Sequence, residues 1–284
     1  MGKKKVLNEF WRIEDSPSQY NLDGFRFHTE TENPKGTRLL IQGLGCESKV
    51  IWEDVLTEFE KLESQRDLIA FDVRGIGKSE GKSESFDQII EDTIQVLRKE
   101  APPIQLVGHS LGGLVALQVA KKIPELIDSV ILVCSNPRYN KKSKSGFIWR
   151  AEQIRRLQSI CCIFDKVIPR SFATDFINTH PTVISNFTNM LNRQSPTNYS
   201  NLCLIASEAD ALTAFDSITV PLLMIVGSKD PSITLERSSQ FATRRKCTVE
   251  SIDGAGHNIP LENPRELTNI IQKFDYTMVQ KKKK

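Results

Sequence analysis

Ser110 stands in Gly108-His109-Ser110-Leu111-Gly112-Gly113, where a short apolar run ends and an Ala/Leu/Val helix pattern begins. A serine hydroxyl becomes a nucleophile only with a base in reach and an acid to orient that base. A sharp strand-to-helix turn crowds the backbone, and small residues at Gly108 and Gly112 relieve the crowding, so the hydroxyl is lifted clear of the sheet. The following helix aims its N-terminus at the same spot, which favours a developing negative charge. Glycine and serine also fill ordinary turns, so the assignment depends on the partners. The chain has four histidines, His28, His109, His180 and His257. His28 falls in an early strand and His180 in a helical region, while His109 adjoins the serine with its side chain expected to point the other way. His257 sits in Asp253-Gly254-Ala255-Gly256-His257-Asn258-Ile259-Pro260, a Gly-rich loop after the last strand pattern, and is the candidate base. The acid should lie at a strand end between the two in chain order. Asp230 stands four residues past Val226 in "LLMIVGSKDPS", whereas the preceding strand pattern ends in "VCSNP" without a carboxylate.

These residues need a sheet to bring them together. The chain opens with "EFWRIED" and "GFRFHTE", which read as antiparallel strands, then "TRLLIQG", a helical stretch over 49–62, and "DLIAFDV". The helix "FDQIIEDTIQVLRKE" carries Ile89, Ile90, Ile94 and Leu97 at helical spacing and stops at Pro102-Pro103. Strands "IQLVGH", "SVILVCS", "PLLMIVG" and "CTVESID" follow, with helices between and after them. This alternation implies a mainly parallel sheet covered on both faces, with ligands at the carboxyl ends of its strands. Between Asn136 and about Asp216 the pattern is helical without a clear strand, and it reads as an inserted cap.

The chain resembles the α/β-hydrolases, of the capped esterase and lipase type, over nearly its whole length. "LIQGLG" (40–45), with Trp52 downstream, is similar to the family's oxyanion-loop motif. "FDVRGIGKSEG" (71–81) resembles its D-x-R-G-x-G-x-S turn, and "GHSLGG" with "VGSKDP … GAGHNIP" supplies Ser110, Asp230 and His257 in the family's order. The resemblance implies a mostly parallel eight-stranded sheet with helices on both faces. The core is then 1–135 and 217–280, the helical cap 136–216 and a lysine tail 281–284. It also implies a serine hydrolase that cleaves a carboxylic ester through an acyl-enzyme. The backbone N–H groups of Leu44 and Leu111 are the expected oxyanion donors, and no metal or organic cofactor is called for. Gln42 replaces the family's usual histidine before Gly43; both amides survive the change, so altered surroundings rather than lost activity are expected. The chain lacks the HGGG of some esterases and the HGGPG of proline iminopeptidases. Thioester, lactone, C–C and acyl-transfer chemistry can use the same triad, and a non-catalytic ligand-binding member of the fold is the alternative of a different class.

Charge and composition narrow the partners. Net charge is +3, but seven lysines (Lys3, Lys4, Lys5 and Lys281 to Lys284) stand at the ends, so the rest of the chain is net acidic. A nucleic-acid-binding face is therefore not expected. No secretory h-region follows the N-terminal lysines, and Val6 stands where a myristoylation motif at Gly2 wants Ser or Thr. The six cysteines show neither a CxxC pair nor zinc spacing. A cytoplasmic protein with reduced thiols is expected, with the sequons at Asn186 and Asn198 unused. Between Asn136 and His180 stand nine basic and three acidic residues. Ile154, Leu157, Cys161 and Phe164 fall on one helical face there, with Arg155 and Arg156 off it. The plain reading is a helix packing over the pocket, with Phe147, Trp149 and Phe164 as candidate pocket residues. The sharper reading is peripheral contact with an anionic membrane. The partner expected throughout is a small acyl ester or lipid.

Overall fold

The computed structural model describes residues 6–15, 18–29, 31 and 34–282. Strands β1 (Val6–Asp15) and β2 (Ser18–Phe27) form an antiparallel hairpin. Then come β3 (Thr37–Ile41), α1 (Ser48–Lys61), β4 (Asp67–Phe71), α2 (Phe86–Leu97), β5 (Ile104–His109), α3 (Leu111–Lys122) and β6 (Ile127–Val133). After an all-helical stretch the chain continues with β7 (Leu222–Gly227), a helix over Leu235–Arg245, β8 (Thr248–Ile252), a short helix over Ile259–Glu262 and a final helix over Pro264–Lys282. The eight strands lie in the order β1-β2-β4-β3-β5-β6-β7-β8. From β4 to β8 all pairings are parallel. The expected α/β architecture is present, including the antiparallel opening.

Alternation along the buried strands sorts side chains onto the two faces. Leu106, Val130, Leu132 and Met224 pack with α2 and α3 on one side. Val107, Ile131, Val133 and Ile225 pack with α1 and the final helix on the other. Strands buried on both faces are why these runs read as nearly continuous apolar sequence. The chain leaves β3 toward β4 on one side and leaves the adjacent β5 toward β6 on the other, so the connections diverge between them. A crevice forms at such a switch point, outside the carboxyl ends of the strands. The buried base of β3 is held by Arg38, which donates to Gln105 Oε1 at 2.5 Å and to Asp275 of the final helix.

The motif over 71–81 serves the fold. Arg74 donates to both carboxylate oxygens of Asp92, at 2.8 and 2.6 Å, with its guanidinium 4.3 Å from the Tyr20 ring centroid. Ser79 Oγ donates to the Asp72 carbonyl and accepts from the Asp23 N–H. Asn198 accepts from Ser83 N–H and donates to the Gly75 carbonyl, so this buried sequon asparagine is committed to a hydrogen-bond network.

Between β6 and β7 lie α4 (Lys141–Leu157), a 3-10 turn (Cys161–Ile163), α5 (Phe164–Ser171), α6 (Thr174–Thr179), α7 (Pro181–Asn192), α8 (Pro196–Glu208) and α9 (Leu212–Ser217). The helices after β7 are accordingly α10, α11 and α12. The two ends of the excursion meet: Arg138 bridges Asp210 and binds its carboxylate at 2.6 Å, and Ala211 N–H donates to the Pro137 carbonyl at 2.8 Å. Beyond that junction α9 packs against α3, with Ala214 and Phe215 in the core of the sheet. The apolar stripe expected to run from Ile154 to Phe164 does not form one face. Gln158 adopts a left-handed conformation that ends α4 at Leu157, leaving Leu157 about half exposed. The helix α12 continues to Lys282, so the lysine tail expected from 281 begins as helix. Gly2, Lys3 to Lys5, Lys283 and Lys284 lie outside the described residues.

Asp72 carries an expected pH effect. Burial, with Glu47 and Asp23 nearby, pushes its carboxyl up to about 7, although it accepts the Ser48 N–H at 2.5 Å. The folded state then holds a proton that the unfolded chain releases near pH 4, so stability falls as pH rises from about 4 to 7. Relative to Asp72→Asn, which keeps the acceptor, the wild type should lose up to about 4 kcal/mol across that window. Urea unfolding of both proteins at pH 5 and pH 8 measures this; a constant difference would show that Asp72 ionises normally.

Candidate active site

The β5–α3 turn puts Ser110 at φ 54°, ψ −117°, a conformation that L-residues avoid. Only very small neighbours permit it. A Cβ on Gly108 would lie 2.4 Å from the Gly112 carbonyl oxygen, and one on Gly112 would lie 2.4 Å from the Ile41 carbonyl oxygen. Ser110 N–H donates to the Val133 carbonyl at 2.9 Å, and its own carbonyl accepts from Ser135 Oγ at 2.7 Å. The turn is thereby fastened to β6 as well as to its own strand.

The loop after β8 brings His257 over this turn. His257 Nε2 is 3.0 Å from Ser110 Oγ, and Nδ1 is 2.7 Å from Asp230 Oδ2. A carboxylate only accepts, so Nδ1 carries the proton and Nε2 accepts from the serine hydroxyl. The other oxygen of Asp230 accepts the N–H groups of Ser232 and Ile233 at 2.7 and 3.0 Å. Burial opposes ionisation of Asp230, but His257 and those two amides outweigh it and hold the carboxyl below its usual range. The group is a fixed anion behind the imidazole.

Two residues beside these three were misjudged or missed in the sequence. His109 does not point away: its Nε2–H donates to the His257 carbonyl at 2.9 Å, and the two rings lie 5.2 Å apart. The turn after β5 leaves its ring between the His257 loop and Trp52, which meets it edge-on at 6.5 Å. Burial, aided by His257, pushes His109 down to about 3, so it is a neutral strut. Glu262 of α11 accepts N–H groups on both sides of His257, from Gly256 at 2.9 Å and Asn258 at 3.1 Å. It also accepts from Ala173, between α5 and α6, at 2.9 Å. "HNIPLE" carried no signal for this, because the glutamate reads as one more surface charge.

The loop after β3, where an oxyanion donor is expected, runs against the turn: a Cβ on Gly43 would be 3.2 Å from Ser110 Cβ. Leu44 lines the cavity. Leu111 is the first residue of α3, where an N–H has no partner within the helix. Gly45, at φ 68°, lies against the Tyr199 ring, where any side chain would collide at 2.3 Å. Gln42 donates to the Phe71 carbonyl at 2.8 Å, tying β3 to the end of β4.

Ser110 and His257 open into a cavity of about 470 Å³. Of the three pocket candidates, Phe147 and Trp149 line it. Phe164 does not: the break after Leu157 places it at the start of α5, packed against the buried cluster beneath. Tyr139, Arg150, Arg170 and Tyr199 line the cavity without having been singled out for it. Cys134, Asp230 and His257 converge within 4.8 Å, a spacing that could hold a metal. The Cys134 thiol donates to the Gly256 carbonyl, however, and burial pushes it well above its usual range, which disfavours the thiolate a metal needs.

Sheet order, strained turn and the Ser110–His257–Asp230 contact define an α/β-hydrolase. The chain belongs to the hydrolase family described as Serine aminopeptidase, S33, whose model matches residues 32–264. Among curated relatives it is 26% identical over 230 residues to 3-oxoadipate enol-lactonase 2 of Acinetobacter baylyi, covering 78% of this chain and 82% of that protein. It is 25% identical over 280 residues to the monoglyceride lipase of Homo sapiens, covering 91% of this chain and 88% of the lipase. A thermophilic esterase from Thermogutta terrifontis has the same fold, with a TM-score of 0.81 at 23% identity, covering 95% of this chain and 99% of the esterase. The chain is thus a hydrolase of the group that includes esterases, lactonases and lipases.

Glu262→Ala would leave the N–H groups of Gly256 and Ala173 without their acceptor, while that of Asn258 keeps the Ser171 carbonyl at 2.9 Å. Each unsatisfied buried group costs about 1–3 kcal/mol. Ser110 in this variant should react with a fluorophosphonate at least tenfold more slowly, while circular dichroism stays unchanged. An unaltered rate would mean that the loop holds His257 without Glu262.

Proposed function

We propose that the protein is a serine hydrolase that cleaves a carboxylic ester of a small acyl compound or lipid through an acyl-enzyme. The observation that carries this reading is the unbroken contact from Ser110 Oγ through His257 to Asp230, at 3.0 and 2.7 Å, on a cavity wall. His257 Nε2 takes the hydroxyl proton as Oγ attacks the acyl carbon. The carbonyl oxygen gains the charge and is received by the N–H groups of Leu44 and Leu111. His257 then passes its proton to the departing alkoxide, leaving the acyl group on Ser110. Water, activated by the same imidazole, releases the acid and restores the hydroxyl. Asp230 keeps the imidazole in the required tautomer and stabilises its protonated form. A lactone is an ester whose leaving group stays attached, so the similarity to an enol-lactonase falls within this chemistry. In this reading α4 to α8, within the 136–216 expected as a cap, cover the core and form the substrate chamber, while α9 belongs to the core, and the six free thiols suit a cytoplasmic setting.

A fluorophosphonate should label the wild type and not Ser110→Ala, and His257→Ala should lower p-nitrophenyl ester turnover by several orders of magnitude. Labelling that persists without Ser110 would remove the assignment, and a folded wild type inert to both reagents would favour a binding protein.

Peripheral contact with anionic lipid is a second reading, favoured by the outer face of α4. Ile148 is 42% exposed there, beside the exposed Lys141 and Arg155, and Leu157 is 51% exposed at the end of the helix. Phe147 and Trp149 face the cavity, so they are not the inserting residues. No helix among the described residues is long and apolar enough to span a membrane. Each basic residue near an anionic surface contributes roughly 1 kcal/mol, screened by salt. Sedimentation with phosphatidylserine vesicles at low salt should exceed that with neutral vesicles; equal, negligible binding would leave α4 as ordinary solvated surface.

A further inference from the structure

Arg150 projects from the face of α4 that lines the cavity, together with Phe147 one turn earlier. Among the described residues it forms no ion pair and no hydrogen bond; its guanidinium rests 5.3 Å from the Phe147 ring centroid. The other arginines of α4 and α5 have hydrogen-bond partners, Arg156 donating to Gln153 and Arg170 to Ser232. Arg155 donates to Ser200 and Asn201, and Lys166 reaches Asp165 in solvent. Arg150 instead faces inward toward α8 and the active serine. Burial pushes up the hydroxyls of Tyr139 and Tyr199 and the thiol of Cys203, and the charge of Arg150 opposes that rise at all three. Tyr139 in turn stands by Ser110: its buried hydroxyl has no hydrogen-bond partner among the described residues and lies close enough to interact with the serine side chain.

The cavity wall is one-signed. Lys142, Arg150, Lys166 and Arg170 line it, and no Asp or Glu among the described residues does. Arg170 also lacks a carboxylate partner among the described residues and donates to Ser232 Oγ at 2.9 Å. A half-buried guanidinium without a counter-ion is costly, and its planar fork fits a carboxylate with two parallel hydrogen bonds. A neutral acyl chain would leave that fork unpaired on the cavity wall. We propose that Arg150 is a substrate-anion site, and that the acyl part of the ester carries a free carboxylate, as in a monoester of a dicarboxylic acid. The inference deepens the hydrolase reading and rests on it for the chemistry, though not for the binding.

Two measurements test it. In Ser110→Ala, which cannot turn over, glutarate titrated calorimetrically should bind, and the added substitution Arg150→Met should weaken it at least tenfold; Lys144→Gln, outside the cavity lining, should leave it within twofold. In the wild type, kcat/KM for mono-p-nitrophenyl glutarate should exceed that for p-nitrophenyl valerate at least tenfold. Arg150→Met should collapse that ratio toward one. Glutarate that fails to bind, or binds equally without Arg150, overturns the site, as does tighter binding of inorganic phosphate at Arg150, which would make the anion a phosphate. If fluorophosphonate labelling and valerate hydrolysis succeed but the ratio stays near one, this inference fails and the hydrolase stands. If labelling fails while glutarate still binds through Arg150, the hydrolase reading fails and the anion site stands.

Discussion

The left-handed conformation of Ser110 is the constraint from which the rest of the site is organised. A non-glycine residue held there costs about 1–3 kcal/mol and persists only where its surroundings over-determine it. A typical hydrogen bond returns about 1 kcal/mol net. The bonds to Val133 and from Ser135, with the close backbone contacts at Gly108 and Gly112, are of the right size to hold it. Those contacts exist because β5 lies between β3 and β6 in a fully buried parallel ladder. The same close approach lays the Gly43–Leu44 segment against the serine. A looser turn would therefore misplace the hydroxyl and the Gly43–Leu44 segment together.

Around that turn the charged groups are kept in fixed states. Asp230 remains ionised because His257 and two amides outweigh its burial. His109 remains neutral because nothing nearby compensates its burial enough. The imidazole that touches Ser110 thus stands between a permanent anion and an uncharged neighbour. Glu262 brackets the same loop from below and reaches the start of α6 through Ala173. Position in this site comes from carboxylates receiving backbone amides, which fixes loops that carry few apolar side chains of their own.

Some of this could be read from the chain and some could not. Ser110, Asp230 and His257 each follow a strand pattern within a few residues, so their shared location followed from the sheet alone. The strands themselves were legible because both faces are buried and the apolar runs are nearly continuous. Phe164 was misplaced because helical spacing was extended through Gln158, whose left-handed conformation no periodicity announces. His109 was misoriented because strand alternation says which side of the sheet a residue leaves from, but not which loop folds over it. Tyr139, Arg150 and Glu262 gave no signal, since what matters about them is the neighbours they meet far along the chain: Ser110 across 29 positions, Tyr199 across 49 and Ala173 across 89.

The junction at Pro137, Arg138, Asp210 and Ala211 has a consequence for how such a molecule can change. The helical excursion leaves the sheet and rejoins it at one neck, and it also touches the core through Asn198 of α8, which donates to Gly75, and Ala173, which donates to Glu262. Its internal contacts, such as the packing of α4 on α8, are satisfied on its own side of that neck. Insertions, deletions or wholesale exchange of the segment need not disturb the register of β6 against β7. Descendants of one ancestral chain could therefore diversify what enters the chamber while inheriting the bond-breaking apparatus unaltered. Residues such as Arg150 would then be the rapidly evolving part of the molecule, and the crowded glycines around Ser110 the slowest.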